Sequence, residues 1–235
     1  MMTQPRLVEV RQHVLRQNDL LARKLRERFQ AAGVRVISLV SSPGAGKTML
    51  LEKMLAALRS RCCVAALVGD LATENDAARL ARSQTPVKQI TTGTVCHLDA
   101  AMVQHALDDW QLPELDLLFI ENVGNLVCPA SYDLGEELRL VLMSVTEGED
   151  KPLKYPTIFN TADVAVLTKM DLATAVEFDL ATAQHNIQQV RPGMKVFEVS
   201  GKTGAGLESL LSFLYPQPAQ QLAPLVHSQP VAGGI

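Results

Sequence analysis

Aromatic residues are scarce in this chain of 235, at 4%, which leaves little material for the stacking platforms that hold single-stranded nucleic acid. Positive charge is not in excess either. The 22 Lys and Arg stand against 25 Asp and Glu for a formal net charge of −3, so no general basic field draws the chain to DNA or RNA and no nucleic-acid partner is expected. The one basic run, Arg23-Lys24-Leu25-Arg26-Glu27-Arg28, shares its segment with Leu20 and Leu21. It reads as the solvated face of a helix, with nucleic-acid or partner binding as the sharper alternative. No apolar run approaches the roughly 18 residues needed to cross a bilayer, and Met1 to Glu9 lacks a signal-peptide apolar core. The expected setting is the cytoplasm, with no membrane attachment. There, four cysteines read as reduced thiols or metal ligands rather than disulfides.

What is present is ordinary globular material, 47% hydrophobic and 20% charged, enough for one large domain. Leu7, Val10, Val14, Leu21, Leu25 and Phe29 recur at largely helical spacing, which predicts an amphipathic helix over 6–31, within an N-terminal unit at 1–33 packed on the domain that follows. Strand candidates lie at 34–40, 62–69, 87–91, 116–121, 163–167 and 195–199, with helical stretches between most of them. Their nearly continuous Val, Leu, Ile and Ala content suits a mostly parallel sheet covered by helices on both faces. The expected architecture is a doubly wound α/β domain over 34–215 whose ligands bind beyond the carboxyl ends of the strands. Cys62 and Cys63 are assigned to the core at the start of the second strand, where neighbours face opposite sides of the sheet. Residues 216–235 hold four prolines, several glutamines and a Gly-Gly pair and read as a disordered tail, with His227 solvated rather than ligating.

The most specific stretch is Ser41-Ser42-Pro43-Gly44-Ala45-Gly46-Lys47-Thr48, between the first strand and a helix-like segment at 49–59. Strand, Gly-rich turn, Lys-Thr and helix in that order make a P-loop, so the fold expected is that of a P-loop NTPase. Gly44 and Gly46 let successive backbone N–H groups approach phosphate oxygens where a Cβ would intrude. The following helix turns its N-terminus to the same anion. Pro43, Gly44, Ala45, Gly46, Lys47, Thr48 and Met49 are thus expected to cradle the phosphates, with Lys47 on the β and γ phosphates and the Thr48 hydroxyl on Mg²⁺. Ser41 stands where the motif usually opens on glycine. The bland alternative is a glycine-containing turn, which explains neither the Lys-Thr pair nor its context.

Three further strand ends carry matching chemistry. After 62–69 come Asp70 and Asp76, placed to hold Mg²⁺ directly or through its waters. The competing reading for Asp76 is a helix cap with Thr73, in which Asp replaces the usual Glu or Gln. The strand 116–121 ends on Glu121, a carboxylate where P-loop enzymes keep a Mg²⁺-sensing acid, followed by Gly124 in a loop able to move toward a γ-phosphate. After 163–167 comes Thr168-Lys169-Met170-Asp171. A carboxylate here accepts from guanine N1–H and its 2-amino group together, a pattern adenine does not offer. The tetrapeptide resembles the Asn-Lys-x-Asp guanine motif of GTPases with Thr168 in place of Asn, and Ser200-Gly201-Lys202 follows the last strand in support. Capping is the alternative for Asp171.

A softer set of ligands stands apart: Cys96-His97, with Cys128 seven positions beyond Glu121. Thiolate with imidazole selects Zn²⁺, Ni²⁺ or Cu rather than Mg²⁺. Three ligands are too few for a closed structural site, and two copies meeting about a two-fold axis would relieve the shortage. A buried cysteine and a structural histidine are the plain alternative.

Together these motifs resemble the HypB family, the GTPases that assist nickel insertion into [NiFe] hydrogenase. The resemblance runs over about residues 5–215 and is carried by Ser41 to Thr48, Cys96 to Ala100, the run from Glu121 to Glu136, Asp150-Lys151-Pro152-Leu153-Lys154-Tyr155-Pro156, and Ser200 to Gly204. It implies a GTP-dependent homodimer with slow hydrolysis, and Ni²⁺ or Zn²⁺ on Cys96, His97 and Cys128 at the interface. It also implies a hydrogenase maturation accessory protein and the hydrogenase large-subunit precursor as partners. Lys151 and Lys154 are candidates to reach across such a dimer. The Cys-x-x-Cys-Gly-Cys site and the His-rich stretch of some members are missing, so nickel storage is not expected. The rival readings are a metallochaperone for a urease- or cobalamin-type enzyme, and a non-hydrolysing nickel or zinc adaptor.

Overall fold

The computed structural model describes residues 6–70 and 79–216. Seven strands form one sheet: β1 (Arg35–Ser41), β2 (Val64–Asp70), β3 (Val87–Thr91), β4 (Leu117–Glu121), β5 (Leu138–Ser144), β6 (Val164–Thr168) and β7 (Lys195–Glu198). Their order is β3-β2-β4-β1-β5-β6-β7, and every adjacent pair is parallel. The helices are α1 (Arg6–Ala32), α2 (Lys47–Leu58), α3 (Ala100–Ala106), α4 (Lys151–Lys154), α5 (Pro156–Thr161), α6 (Leu180–Val190) and α7 (Leu207–Leu214).

Strand side chains alternate between two apolar layers, as the pleat requires. Ile37 and Leu39 of β1 pack with Leu51, Met54 and Leu55 of α2 and with Leu210 and Leu211 of α7. On the other face, Val36 joins Ala22, Leu25 and Phe29 of α1 and Val103 of α3, while Val40 joins Phe159 of α5 and Ile187 of α6. Burying each Leu, Ile or Phe of this kind contributes about 1.5–3 kcal/mol relative to leaving it in water. The expected doubly wound α/β architecture is therefore present, and the sheet is parallel throughout. Among the described residues no helix is long and apolar enough to cross a membrane.

One strand was not expected. β5 reads Leu-Arg-Leu-Val-Leu-Met-Ser, rich in helix formers and interrupted by a charge. The interruption is resolved by a buried ion pair: Arg139 lies 2.6 Å from Glu136, and Glu136 also accepts from the Ser38 hydroxyl at 3.0 Å and the Leu134 N–H at 2.7 Å. The assignment of Cys62 and Cys63 to the strand core is also corrected. Both precede β2, with Cys63 exposed and Cys62 half-buried. Burial first, then the neighbouring Asp116 and Cys63, pushes the Cys62 thiol up to about 11, which keeps it protonated and unreactive.

The basic run on α1 is a solvated face, with Arg23, Lys24 and Arg28 exposed. Arg26 instead reaches Asp133 at 2.7 Å. Burial works to raise the Asp133 carboxyl, but the Arg26 guanidinium and the Gly135 N–H outweigh it and hold the group below its ordinary value. The contact thus contributes stability above the ordinary carboxylate range and loses it as pH falls through the lowered value. α1 also approaches closely at Gly135, where an added Cβ would lie 2.9 Å from the Ala22 carbonyl oxygen. The tail from 217 onward, Asp76 and His227 lie outside the described residues.

Candidate nucleotide and metal sites

β1 sits at the centre of the sheet with β4 and β5 beside it, in a register that pairs Leu39 with Glu121. The loop leaving β1 therefore opens directly beside the carboxyl end of β4. It runs through two left-handed glycines, Gly44 at φ 75° and Gly46 at φ 92°, backbone states that L side chains rarely adopt, and Gly46 caps α2. The loop forms one wall of a cavity of about 630 Å³ at the carboxyl edge of the sheet.

Pro43, Gly44, Gly46, Lys47, Thr48 and Met49 line this cavity, together with Asp70 and Glu121. Ala45 does not: it is buried, and its carbonyl accepts the Thr168 hydroxyl at 2.6 Å. Lys47 is only 7% exposed and donates to Ser41 Oγ at 2.8 Å, so the residue that departs from the motif's usual glycine positions the ammonium. The Thr48 hydroxyl donates to Glu121 Oε1 at 2.7 Å, with Glu121 3% exposed. Asp70 is half-buried at the end of β2. A buried carboxylate touching a hydroxyl beside a lysine is an oxygen donor set suited to Mg²⁺, and an anion cradle lies next to it.

The far end of the cavity is formed by Thr168, Lys169, Asp171, Gly201 and Lys202. Thr168 ties this end to the phosphate loop through Ala45, and the Lys169 stem passes over Gly46, with Cε 3.8 Å from where a Cβ would stand. Ser200 is buried behind the wall and donates to Asp171 Oδ1 at 2.6 Å while accepting from the Thr203 N–H at 3.1 Å. Asp171, itself exposed, is thus held by a fixed hydroxyl.

Cys96, His97 and Cys128 also come together. Their ligand atoms lie within 4.8 Å of one another, the two sulfurs 3.0 Å apart. The His97 ring stacks on Tyr132 with centroids 3.9 Å apart, and its Nδ1 is buried without a hydrogen bond among the described residues. Burial pulls the His97 imidazole below its ordinary pKa against a smaller upward effect of Asp99. A neutral imidazole with an unshared buried nitrogen beside two thiols fits a soft or borderline metal ion.

Two asparagines connect the sites, a feature absent from the expectations above. Asn122, next to Glu121, is buried and accepts from the Leu98 N–H at 3.0 Å, one residue beyond His97. Asn125 donates to the Cys96 carbonyl at 3.3 Å. Between them Gly124 lies flat on the phosphate loop, where a Cβ would meet Pro43 Cα at 2.9 Å. The segment 121–128 thus touches the phosphate loop and the Thr48 hydroxyl, carries Cys128, and bonds to the backbone of Cys96 and Leu98 on either side of His97.

The sequence matches the model of the CobW/HypB/UreG nucleotide-binding domain over residues 35–198. It is 45% identical to the hydrogenase maturation factor HypB of Rhizobium leguminosarum bv. viciae over 91% of this chain and 71% of that protein. Against the factor of the same name from Escherichia coli strain K12 it is 45% identical, over 92% and 74%. The chain belongs to the HypB family. The crystal structure of HypB from Helicobacter pylori in complex with nickel superposes with a TM-score of 0.79 at 42% identity, covering 84% of this chain and 93% of that one. HypB membership makes this chain a P-loop NTPase. It also gives the cavity and the thiol cluster a shared context.

Arg79 was also missed. It lines the nucleotide cavity and its Nε lies 2.9 Å from Glu52 of α2, one helical turn past Thr48. No motif in the sequence marks this arginine, which stands in a helical turn with Leu80. By contrast Lys154 is exposed and bound to Asp150 at 2.6 Å, and Lys151 lies 3.4 Å from Glu147.

Proposed function

We propose that this chain hydrolyses GTP slowly and uses the nucleotide state to control a Ni²⁺ ion that it hands on during [NiFe]-hydrogenase maturation. The observation that carries this reading is the single segment 121–128, on which a phosphate-facing carboxylate and a metal-facing thiol stand seven residues apart and are cross-braced by Asn122 and Asn125.

The chain's own groups divide the work. The backbone of 43–48 and the Lys47 ammonium bind the β and γ phosphates, and α2 adds its N-terminal dipole. Thr48 and Glu121, with Asp70 and Asp76, would hold Mg²⁺ directly or through its waters, and the ion would supply positive charge against the phosphates. Asp171 accepts from the guanine edge, its rotamer set by Ser200, and Lys169 lies along the base. Gly201 and Lys202 close that end. Attack of water on the γ phosphorus, which breaks its bond to the β–γ bridging oxygen, is slow because among the described residues no glutamine lines the cavity and Arg79 is held by Glu52.

Ni²⁺ is the cargo, with Zn²⁺ an alternative occupant of the same donors. Cys96, His97 and Cys128 supply three ligands, and Val127 beside them is 63% exposed. A homodimer meeting on this face would complete the coordination, and Lys151 and Lys154 would reach the partner's nucleotide. A maturation accessory protein and the hydrogenase large-subunit precursor are the recipients in this reading. The protein acts in the cytoplasm.

The test is a Ni²⁺ titration followed by the thiolate charge-transfer absorbance. Wild type is expected to develop the band, and Cys96→Ala and Cys128→Ala each to lose it, with GDP affinity retained. Undiminished nickel binding by both variants would sink the assignment.

A further inference from the structure

α1 lies across the two loops that bring the thiols and the imidazole together, and one of its side chains bonds to both. Asn18 is 5% exposed. Its Oδ1 accepts the Ala100 N–H at 2.8 Å, and its Nδ2 donates to the Asp133 carbonyl at 2.9 Å. Ala100 is the first residue of α3, where the N–H has no partner within its own helix; the Asp99 side chain already caps Met102 at 2.8 Å, so the amide of Asn18 answers for Ala100. Ala100 follows His97 by three residues, and Asp133 directly follows Tyr132, the ring stacked on His97.

These contacts close a loop through space: from Asn18 to Ala100, back along the chain to His97, across the stack to Tyr132, on to Asp133 and back to Asn18. Two neighbours stiffen it. Arg26, two helical turns beyond Asn18, bonds both Asp133 carboxylate oxygens at 2.7 and 2.9 Å, and Arg139 donates to the Tyr132 carbonyl at 2.7 Å. The segments 96–100 and 128–133 follow different strands, β3 and β4, which β2 separates in the sheet. Their relative placement is therefore not fixed by strand pairing.

We infer that Asn18 is a positioning residue for the thiolate and imidazole ligands, its side-chain amide setting the distance between the loop of Cys96 and His97 and the loop of Cys128. The inference rests on the metal role given above to those three residues. An amide suits the task because one end accepts and the other donates in a fixed plane, and outer groups that orient ligands typically tune metal affinity 10- to 100-fold.

The test measures Ni²⁺ affinity by the thiolate charge-transfer absorbance, alongside GDP affinity and the thermal midpoint, in wild type, Asn18→Ala, Asn18→Asp, Phe29→Leu and Cys96→Ala. Asn18→Ala is expected to weaken nickel binding about tenfold or more with GDP binding unchanged. Asn18→Asp keeps the acceptor for Ala100 but sets an oxygen against the Asp133 carbonyl, and is expected to weaken it likewise. Phe29→Leu loosens the buried stripe of the same helix away from the clamp; it is expected to lower the thermal midpoint and leave nickel affinity in place. A folded Asn18→Ala with wild-type nickel affinity overturns the clamp, as does an equal loss in Phe29→Leu at a matched midpoint. Should Asn18→Ala not fold, Asn18→Asp decides by the same comparison. If Cys96→Ala also binds nickel as wild type does, the metal site itself is misassigned and the clamp falls with it.

Discussion

Replacing Asp171 by Asn is expected to turn the chain from GTP toward xanthosine triphosphate, with a change in relative affinity on the order of 10⁴-fold, the scale on which a site built to hydrogen-bond one ligand pattern rejects another. In the proposed reading the Asp171 carboxylate accepts from two donors of guanine, N1–H and the 2-amino group. An Asn at this position can keep its oxygen on the Ser200 hydroxyl, which now donates to Oδ1 at 2.6 Å, and so turns its NH₂ toward the base. That NH₂ opposes the guanine 2-amino group but donates to the 2-carbonyl of xanthine. Competition of labelled GTP by GTP, ATP and XTP reads the effect. An Asp171→Asn protein that still prefers GTP would show that the base is read elsewhere.

Changing Glu121 to Gln is expected to lower the hydrolysis rate on the order of 10²- to 10³-fold, the usual cost of removing one preorganised electrostatic group from such a site. The substitution is nearly isosteric. Its carbonyl can still accept the Thr48 hydroxyl held at 2.7 Å, so the loss isolates the negative charge. A nucleotide-free thermal midpoint close to that of wild type is the condition under which the fall in rate reports the charge rather than misfolding. Single-turnover hydrolysis with Mg²⁺ varied, beside a thermal scan, makes the check; equal rates in both proteins would remove Glu121 from the Mg²⁺ site.

Sequence patterning exposed the parts of this molecule that have a period or a motif. Parallel strands buried on both faces leave continuous apolar runs, which marked β1, β2, β4 and β6, while the edge strands β3 and β7 are less buried and were visible only in outline. The glycine turn with Lys47 and Thr48 advertises itself, because glycine takes without strain the left-handed conformations at Gly44 and Gly46 that present N–H groups to an anion. β5 was hidden by Arg139, whose presence in a central strand makes sense only once Glu136 is seen beside it. Cys96, His97 and Cys128 were visible as candidates, yet their convergence depends on loops that follow two strands separated by a third. The bracing roles of Asn18, Asn122 and Asn125 could not be read from sequence, since an amide serving backbone groups far along the chain has no spacing rule. Arg79 was equally silent, being identified only by the wall it helps to form.

The HypB reading turns on the braces between Glu121 and the soft ligands, and thermodynamic linkage makes their consequence measurable from either side. Nickel affinity should be determined on one preparation without nucleotide, with GDP, and with a non-hydrolysable GTP analogue. The expected result is a difference of about fivefold or more between the GDP and GTP-analogue forms, with nickel shifting the nucleotide affinities by the same factor, and a loss of that difference in Asn122→Ala. Identical nickel dissociation constants in all three states would contradict the account.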